Sequence, residues 1–454
     1  MSGIRRGIPS RVKLVVAIAA IGTFGAIITG CAPAEEPADG PIELSYWFQS
    51  GTPESEEVLV SEIQRCAAEQ DEVSVTTESV ALDTMYPRLA TALKDDEMPN
   101  VLTTVESVAA FLHDKNVLVP VDDVIDEHGR EDFIPSFLTV VSADDQTWAV
   151  PDWALHHAIW YRKDLFAAAG VTTLPTTWDE LAEVSAKLTV DTNGDGTIDQ
   201  YGFGVPWGAK FFGAQQSLFD VLYARGVTVF DPETGDYVFG DQLDEATEAL
   251  QYMLDLYHSS SPEASIDWSL VDIRPALLNG QIAAGPEWGG VVKQAQTERP
   301  ELLPELGVFP FPGERGAAVA SLGGGFFQMI SDGDAREVDA SKALVSCLLD
   351  PESVALRSGA RAPFALPATL SAYEADAFLD NEIVQQFSPE IATIRDEVID
   401  SWQRYGLEAG LNPVSSVMES TSVINELMQK AALGQIDARE AIDQLNDFLL
   451  EQVG

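Results

Sequence analysis

Aromatic residues set beside amides, carboxylates and hydroxyls are the chemistry this chain offers. Trp47 stands near Gln49 and Ser50, and Thr104 and Glu106 close an apolar run. Asp152-Trp153 precede His156, Trp207 precedes Gln216, and Glu287 adjoins Trp288. Such sets suit a polyhydroxylated guest: a ring face stacks on its C–H face, while amides, carboxylates and indole N–H groups satisfy its hydroxyls. Each set falls at a predicted strand end or loop, although any one tryptophan is equally suited to a core. Trp178 and Trp402, on predicted helices, are assigned to packing. The run Gly323-Gly324-Gly325 allows close backbone approach at Gly324, or simply a bulge. Arg361 has the fork geometry for a hydroxyl pair or a carboxylate, or else is solvated at the surface.

The sharpest short motif is Asp191-Thr192-Asn193-Gly194-Asp195-Gly196-Thr197-Ile198-Asp199. Its oxygens at positions one, three, five and nine, with glycine at six and the Thr197 carbonyl at seven, match a calcium loop. It departs at position twelve, where Gly202 replaces the bidentate glutamate. A structural calcium ion on Asp191, Asn193, Asp195, Thr197 and Asp199 is expected, against an Asp/Gly-rich hairpin. Enzyme signatures are missing: there is no His-Glu-x-x-His, Gly-x-Ser-x-Gly, phosphate loop or Cys-x-x-Cys. Adjacent His156 and His157 point to opposite faces of a strand and do not chelate. No catalytic residue is assigned. Paired carboxylates for glycoside hydrolysis carry no signal among 73 acidic residues.

With 454 residues, two lobes or domains are expected. The formal charge of −47 repels phosphates, so nucleic-acid binding is excluded. The first thirty residues read as a leader. Arg5, Arg6, Arg11 and Lys13 form a basic stretch, and Leu14 to Ile28 is apolar but short for a membrane span. It ends Ile28-Thr29-Gly30-Cys31, a bacterial lipobox pattern in which Cys31 carries lipid. Residues 32–41 form a flexible tether rich in Pro, Ala, Glu and Asp. Cys66 and Cys347 remain, each in an apolar helical stretch; outside the cell they could pair, but two buried free thiols is the preferred reading.

These groups must be positioned by the elements between them. Ile42 to Phe48 alternates as a strand, Glu54 to Glu69 is helical, and Val73 to Val80 is a strand. Tyr86 to Leu93 is helical, and Val101 to Val105 is a strand opening into Glu106-Ser107, so a parallel sheet with crossover helices is indicated. Ligands sit beyond the carboxyl ends of such strands, which places the loops at 47–51 and 104–107 at one cleft. Leu155 to Tyr161 is a buried strand, Lys163 to Ala169 a short helix stopped by Gly170. Thr177 caps the helix Trp178 to Leu188, with Glu180 completing a capping box. Helices follow at 215–224, 243–256 and 269–278, with a strand at 281–285. Ala318 to Ile330 is extended, and helices occupy 338–349, 421–433 and 438–452.

The order Tyr161-Arg162-Lys163-Asp164-Leu165-Phe166, Ala168-Ala169-Gly170 and Leu174-Pro175-Thr176-Thr177-Trp178-Asp179-Glu180-Leu181 carries a resemblance. It is similar to the extracellular solute-binding proteins of carbohydrate ABC importers, the maltodextrin-binding type, across nearly the whole mature chain. That resemblance implies an α/β fold of the two-lobed periplasmic-binding type (type II-like), each lobe a mainly parallel sheet flanked by helices. It implies a signal peptide at 1–30, a tether at 31–41, one lobe at 42–150 plus 313–352, and the other at 151–312 plus 353–454. It further implies a monomer lipid-anchored outside the cell membrane, capturing a sugar or oligosaccharide by hinge closure for an ABC permease, without catalysis. The family often places an acid or arginine in the hinge strand at Leu155 or His156; here Asp152 and His156 are the polar choices. The alternatives are an extracellular glycoside hydrolase or lyase, or a receptor for a peptide, polyol or glycerol phosphate.

Overall fold

The computed structural model describes residues 40–209 and 213–453; the leader, Cys31 and nearly all of the tether lie outside the described residues. Twelve strands among the described residues run β1 Ile42–Gln49, β2 Val73–Val80, β3 Val101–Val105, β4 Ser142–Ala143, β5 Gln146–Thr147 and β6 Val150–His156. They continue β7 Ala158–Arg162, β8 Ala284–Glu287, β9 Leu306–Phe309, β10 Ser321–Ile330, β11 Ala365–Pro367 and β12 Trp402–Gln403. Alternation along β1 buries Leu44, Tyr46 and Phe48, as a half-covered strand requires. β1 pairs in parallel with β2 and β3, through Ile42↔Val73 and Tyr46↔Val101.

The larger sheet orders β11-β6-β10-β3-β1-β2, with β12 beside the start of β10. It is mixed rather than mainly parallel, because β10 runs antiparallel to both β3 and β6. The second sheet, β8-β7-β9, is antiparallel throughout. Both differences arise because the chain crosses between lobes: strands that enter from the other lobe meet their neighbours head to tail. The predicted single strand over Leu155–Tyr161 is in fact the end of β6 and the start of β7, divided at His157. There the backbone N–H turns to Leu322 O (3.2 Å) and the imidazole to Asp220.

The helix Pro53–Ala68 follows β1, its first turn capped by Thr52. The helix Glu106–Asp114 begins directly at the end of β3, so Glu106 and Ser107 form a helical first turn instead of a loop. A glutamate there is favoured by the helix dipole. Thr177 accepts from Glu180 N–H as expected. In the second lobe the helices Ala214–Arg225, Leu243–Ser260, Val423–Ala432 and Ala438–Val453 share one core built on Phe219, Leu250, Met428 and Leu445. The chain also stays with the first sheet beyond residue 352, since Ala365–Pro367 pairs with Trp153–Leu155 of β6.

Cys66 and Cys347 are joined as a disulfide, with Cα atoms 5.7 Å apart; the reading of two free thiols is corrected. Cys66 lies on Pro53–Ala68 and Cys347 on Ala335–Leu348, two helices packed together beside the first sheet. Their separation of 281 residues hid the meeting from sequence.

Candidate ligand site at the seam between lobes

Strand ends gather where the two sheets meet. The carboxyl ends of β1, β3, β6 and β8 face the start of β10. Gly324 lies at the centre: a Cβ there would stand 3.5 Å from Glu106 Oε1, 3.7 Å from Trp288 Cη2 and 3.8 Å from Arg404 Nη1. Glu106 Oε2 accepts from Gly325 N–H at 3.0 Å, and Glu106 Oε1 lies 2.7 Å from Arg404 Nε. Arg404 also pairs with Glu419, which accepts from the Tyr405 hydroxyl. Burial pushes the Glu106 carboxyl up, and the Arg404 charge pulls it back. Beside this chain of charges, Trp288 Nε1 donates to Gln216 Oε1 at 3.1 Å. The Trp288 ring lies 4.9 Å from that of His157, whose Nδ1 is 2.8 Å from Asp220 Oδ1. Burial pushes the Asp220 carboxyl up, against the pull of His157.

Three openings border these groups. A cavity of about 200 Å³ is lined by Gln215, Gln216, Tyr405, Glu419, Asn425 and the hydroxyls of Ser420, Thr421 and Ser422. A groove of about 660 Å³ shares Glu419 and Ser420 with it and adds Tyr86, Phe111 and Ser107. A further groove of about 530 Å³ runs between Gln49, Ser50, Phe326 and Arg361 on one side and Arg274, Lys293 and Gln294 on the other. Rings, amides, hydroxyls and buried charges in one place suit a hydroxyl-rich solute.

The predicted residues divide into those at the openings and those elsewhere. Glu106, Gln216, Trp288 and Gly324 come together. Gln49, Ser50 and Arg361 line the third opening, and Thr104 braces it by donating to Gln49 Oε1 at 3.0 Å. Glu287 is fully buried against Arg274 and accepts from Val291 N–H, so it positions the helix Gly290–Glu298. Gly289, at φ +86°, caps that helix where a Cβ would press within 3.2 Å of Phe364 Cα.

Asp152, Trp153, His156, Trp207 and Trp47 do not line the three openings. β6 lies inside the first sheet with both faces covered, so Asp152 is consumed by Arg357. Trp153 is packed between Phe326 and Arg361. His156 is fully buried, and burial drives its pKa down to about 3, leaving a neutral ring. Trp207 fills the second core against Tyr257. Trp47 lies beneath Arg88 in a separate dimple. Trp402 is buried as predicted, but in a strand, against Phe137.

Arg404, Tyr405, Glu419, Asn425, His157 and Asp220 were missed. The polar run Trp402-Gln403-Arg404-Tyr405 was available as a signal. Glu419 was hidden because the stretch before Thr421 carried no predicted helix, whereas Pro413–Ser420 is one.

The acidic loop closes on itself. Asp191 accepts from the N–H groups of Gly194, Asp195 and Gly196, Asp195 from Thr197, and Asp199 from Thr192. Asn193 Oδ1 takes Asp195 N–H. At position twelve a Cβ on Gly202 would lie 1.9 Å from Ser185 O, so no glutamate fits there. Among the described residues, no group of three His, Cys, Asp or Glu side chains is placed to hold a metal ion. The loop thus offers carboxylate and amide oxygens at positions one, three, five and nine, without the position-twelve ligand.

Two lobes joined by crossing strands, with a polar and aromatic seam between them, define a solute-binding architecture. The family model for bacterial extracellular solute-binding proteins matches residues 52–355, and the chain belongs to that family. A putative ABC transporter periplasmic-binding protein of Escherichia coli, YcjN, is 26% identical over 260 residues, 56% of each chain. A putative binding protein of Brucella abortus is 27% identical over 138 residues. The chain thus spans about half the length of the first curated relative and 32% of the second.

Among solved structures, maltose-bound MalE3 of T. maritima superposes with TM-score 0.72 at 22% identity, covering 90% of this chain and 99% of that one. The cyclic α-maltosyl-1,6-maltose binding protein of Arthrobacter globiformis gives 0.73 at 22%, covering 89% and 97%. A sugar transporter of Arthrobacter chlorophenolicus, with bound laminaribiose, gives 0.69 at 20%, covering 90% and 99%. These superpositions establish the two-lobed fold. Among the described residues, no helix is long and apolar enough to cross a membrane.

Proposed function

We propose that the protein captures a saccharide between its lobes and delivers it, unaltered, to an ABC-type permease. It does so as a monomer tethered outside the membrane by lipid on Cys31. The observation that carries this reading is the pair of openings that share Glu419 and Ser420 in their walls. Together they offer amides, hydroxyls and a carboxylate beside Tyr405, Tyr86 and Phe111, the mixture a sugar requires. Relatives of the same fold are described with maltose, laminaribiose and the polyols mannitol and ribitol bound, which also supports a hydroxyl-rich solute. Closure on that solute, through its preference for the closed state, would be the signal to the permease.

Calorimetry of the mature protein against mono- and oligosaccharides is expected to yield at least one micromolar or tighter ligand. Heat in none of the titrations counts against the reading. Chromatography after long incubation is expected to return that ligand intact; cleavage would point to a glycosidase instead. Mass spectrometry of membrane-extracted protein tests the anchor, expecting diacylglycerol mass on a peptide that begins at Cys31.

A further inference from the structure

The third opening differs in charge from the rest of the molecule. The chain holds 73 acidic residues against 26 basic ones, yet Arg274, Lys293 and Arg361 all line this groove of about 530 Å³. Two of them are already neutralised: Arg274 pairs with Glu287, and Lys293 with Glu54. Arg361 is different. Its Nε and Nη2 atoms are buried without a hydrogen-bond partner, and among the described residues it makes no ion pair, whereas buried Arg357 and Arg404 pair with Asp152, Glu106 and Glu419.

The guanidinium is held in place by its surroundings. It stacks 4.2 Å from the Trp153 ring centroid and 5.6 Å from that of Phe326, a cation–π seat. Gly51 makes room for it: a Cβ there would lie 2.7 Å from Nη2. An unsatisfied guanidinium is costly to bury, so a fold that fixes one in the wall of this groove leaves a fork of donors for an anion. Burial lowers the pKa only to about 10, so the charge persists at neutral pH. Glu298 also lines the groove, and Glu56 and Asp152 act on Arg361 from nearby. That acidic background disfavours a doubly charged phosphate more than a single carboxylate. Gln49, Gln294, Ser50 and the Phe326 and Phe364 rings supply the remaining groups a sugar ring needs.

We infer that Arg361 receives the carboxylate of an acidic saccharide, a uronic acid or an oligosaccharide containing one. The inference rests on the saccharide reading above, adds the third opening to its binding surface, and narrows its substrate class. Calorimetry with matched pairs tests it: glucuronate with glucose, galacturonate with galactose, and di- or trigalacturonate with the neutral oligosaccharides of equal length. One uronate is expected to bind about 10- to 100-fold tighter than its neutral partner, as a charge-assisted hydrogen-bond pair allows. Arg361→Gln is expected to remove that preference, bringing the uronate and its neutral partner to within about threefold of each other. Raising NaCl on the wild-type protein is expected to weaken uronate binding selectively, a readout that does not depend on the variant folding.

Neutral sugars binding as tightly as uronates overturns the inference and leaves the saccharide reading standing. A preference that survives Arg361→Gln, or glucose 6-phosphate outcompeting glucuronate, also overturns it. No binding by either series removes both readings.

Discussion

Arg404 is the residue on which the seam turns. It lies buried between Glu106, from the first sheet's third strand end, and Glu419, from the C-terminal helices. Removing one partner of a buried pair strands the others without compensation, which costs about 3–5 kcal/mol. Arg404→Met is therefore expected to lower unfolding free energy by that amount in urea titration, and a change below about 1 kcal/mol would show the network to be solvated.

Glu408 supplies the clearest pH dependence. Its Oε1 accepts from Tyr223 OH and Val229 N–H, and burial raises its pKa from 4.5 to about 7. Across that window the folded carboxyl keeps a proton that the unfolded one releases. The folded state thus binds more protons, and stability falls as pH rises through the window. The loss amounts to about 3 kcal/mol. Relative to wild type, Glu408→Gln should gain stability progressively between about pH 5 and 7.5; parallel pH profiles would remove this role for Glu408.

At this scale sequence was a partial guide. Glu106, Gln216 and Trp288 stand out because polar and aromatic types meet at predicted strand ends. Asp152 and His156 share that signature, yet packing on both faces of β6 enclosed them, and one-dimensional spacing does not report which strand becomes central.

Elements were more legible than their pairing. The alternation in Ile42–Gln49 and the cap at Thr177 are local, so they survive folding unchanged. The sense of β10, the break at His157 and the Cys66–Cys347 bond depend on segments from 63 to 281 residues apart, and no local pattern encodes them. That disulfide closes a 281-residue span and constrains the unfolded chain accordingly. Reduction, or Cys66→Ser with Cys347→Ser, is expected to cost about 2–5 kcal/mol in denaturant titration. Equal stability with and without reductant would show the bond to be incidental.

The acidic loop makes the opposite point, since its motif was legible and its carboxylates already accept backbone N–H groups within the loop. Adding millimolar calcium to chelator-treated protein is expected to move the melting temperature by less than about 1 °C. A clear rise would show that the loop reopens around the ion.

At the scale of the molecule, the question is what holds the lobes together. Lys293 of the helix Gly290–Glu298 pairs with Glu54 of the helix Pro53–Ala68 across the third opening. Both groups are substantially exposed, with side chains 40% and 63% accessible. Exposed pairs contribute about 0–1 kcal/mol and weaken with salt, so this bridge is too weak to set the closed population. On the proposed reading, closure then depends on the solute's own preference for the closed form, which is limited to its difference in affinity between the two states.

Two consequences can be measured on the same sample. Lys293→Ala should change the affinity for a neutral saccharide by no more than about fivefold. A saturating saccharide, at about 100 times its Kd, should stabilise the fold by about 2.7 kcal/mol and reduce the radius of gyration seen by small-angle scattering. Stabilisation without any compaction would mean that the solute enters lobes already shut, and that closure is not what a permease reads.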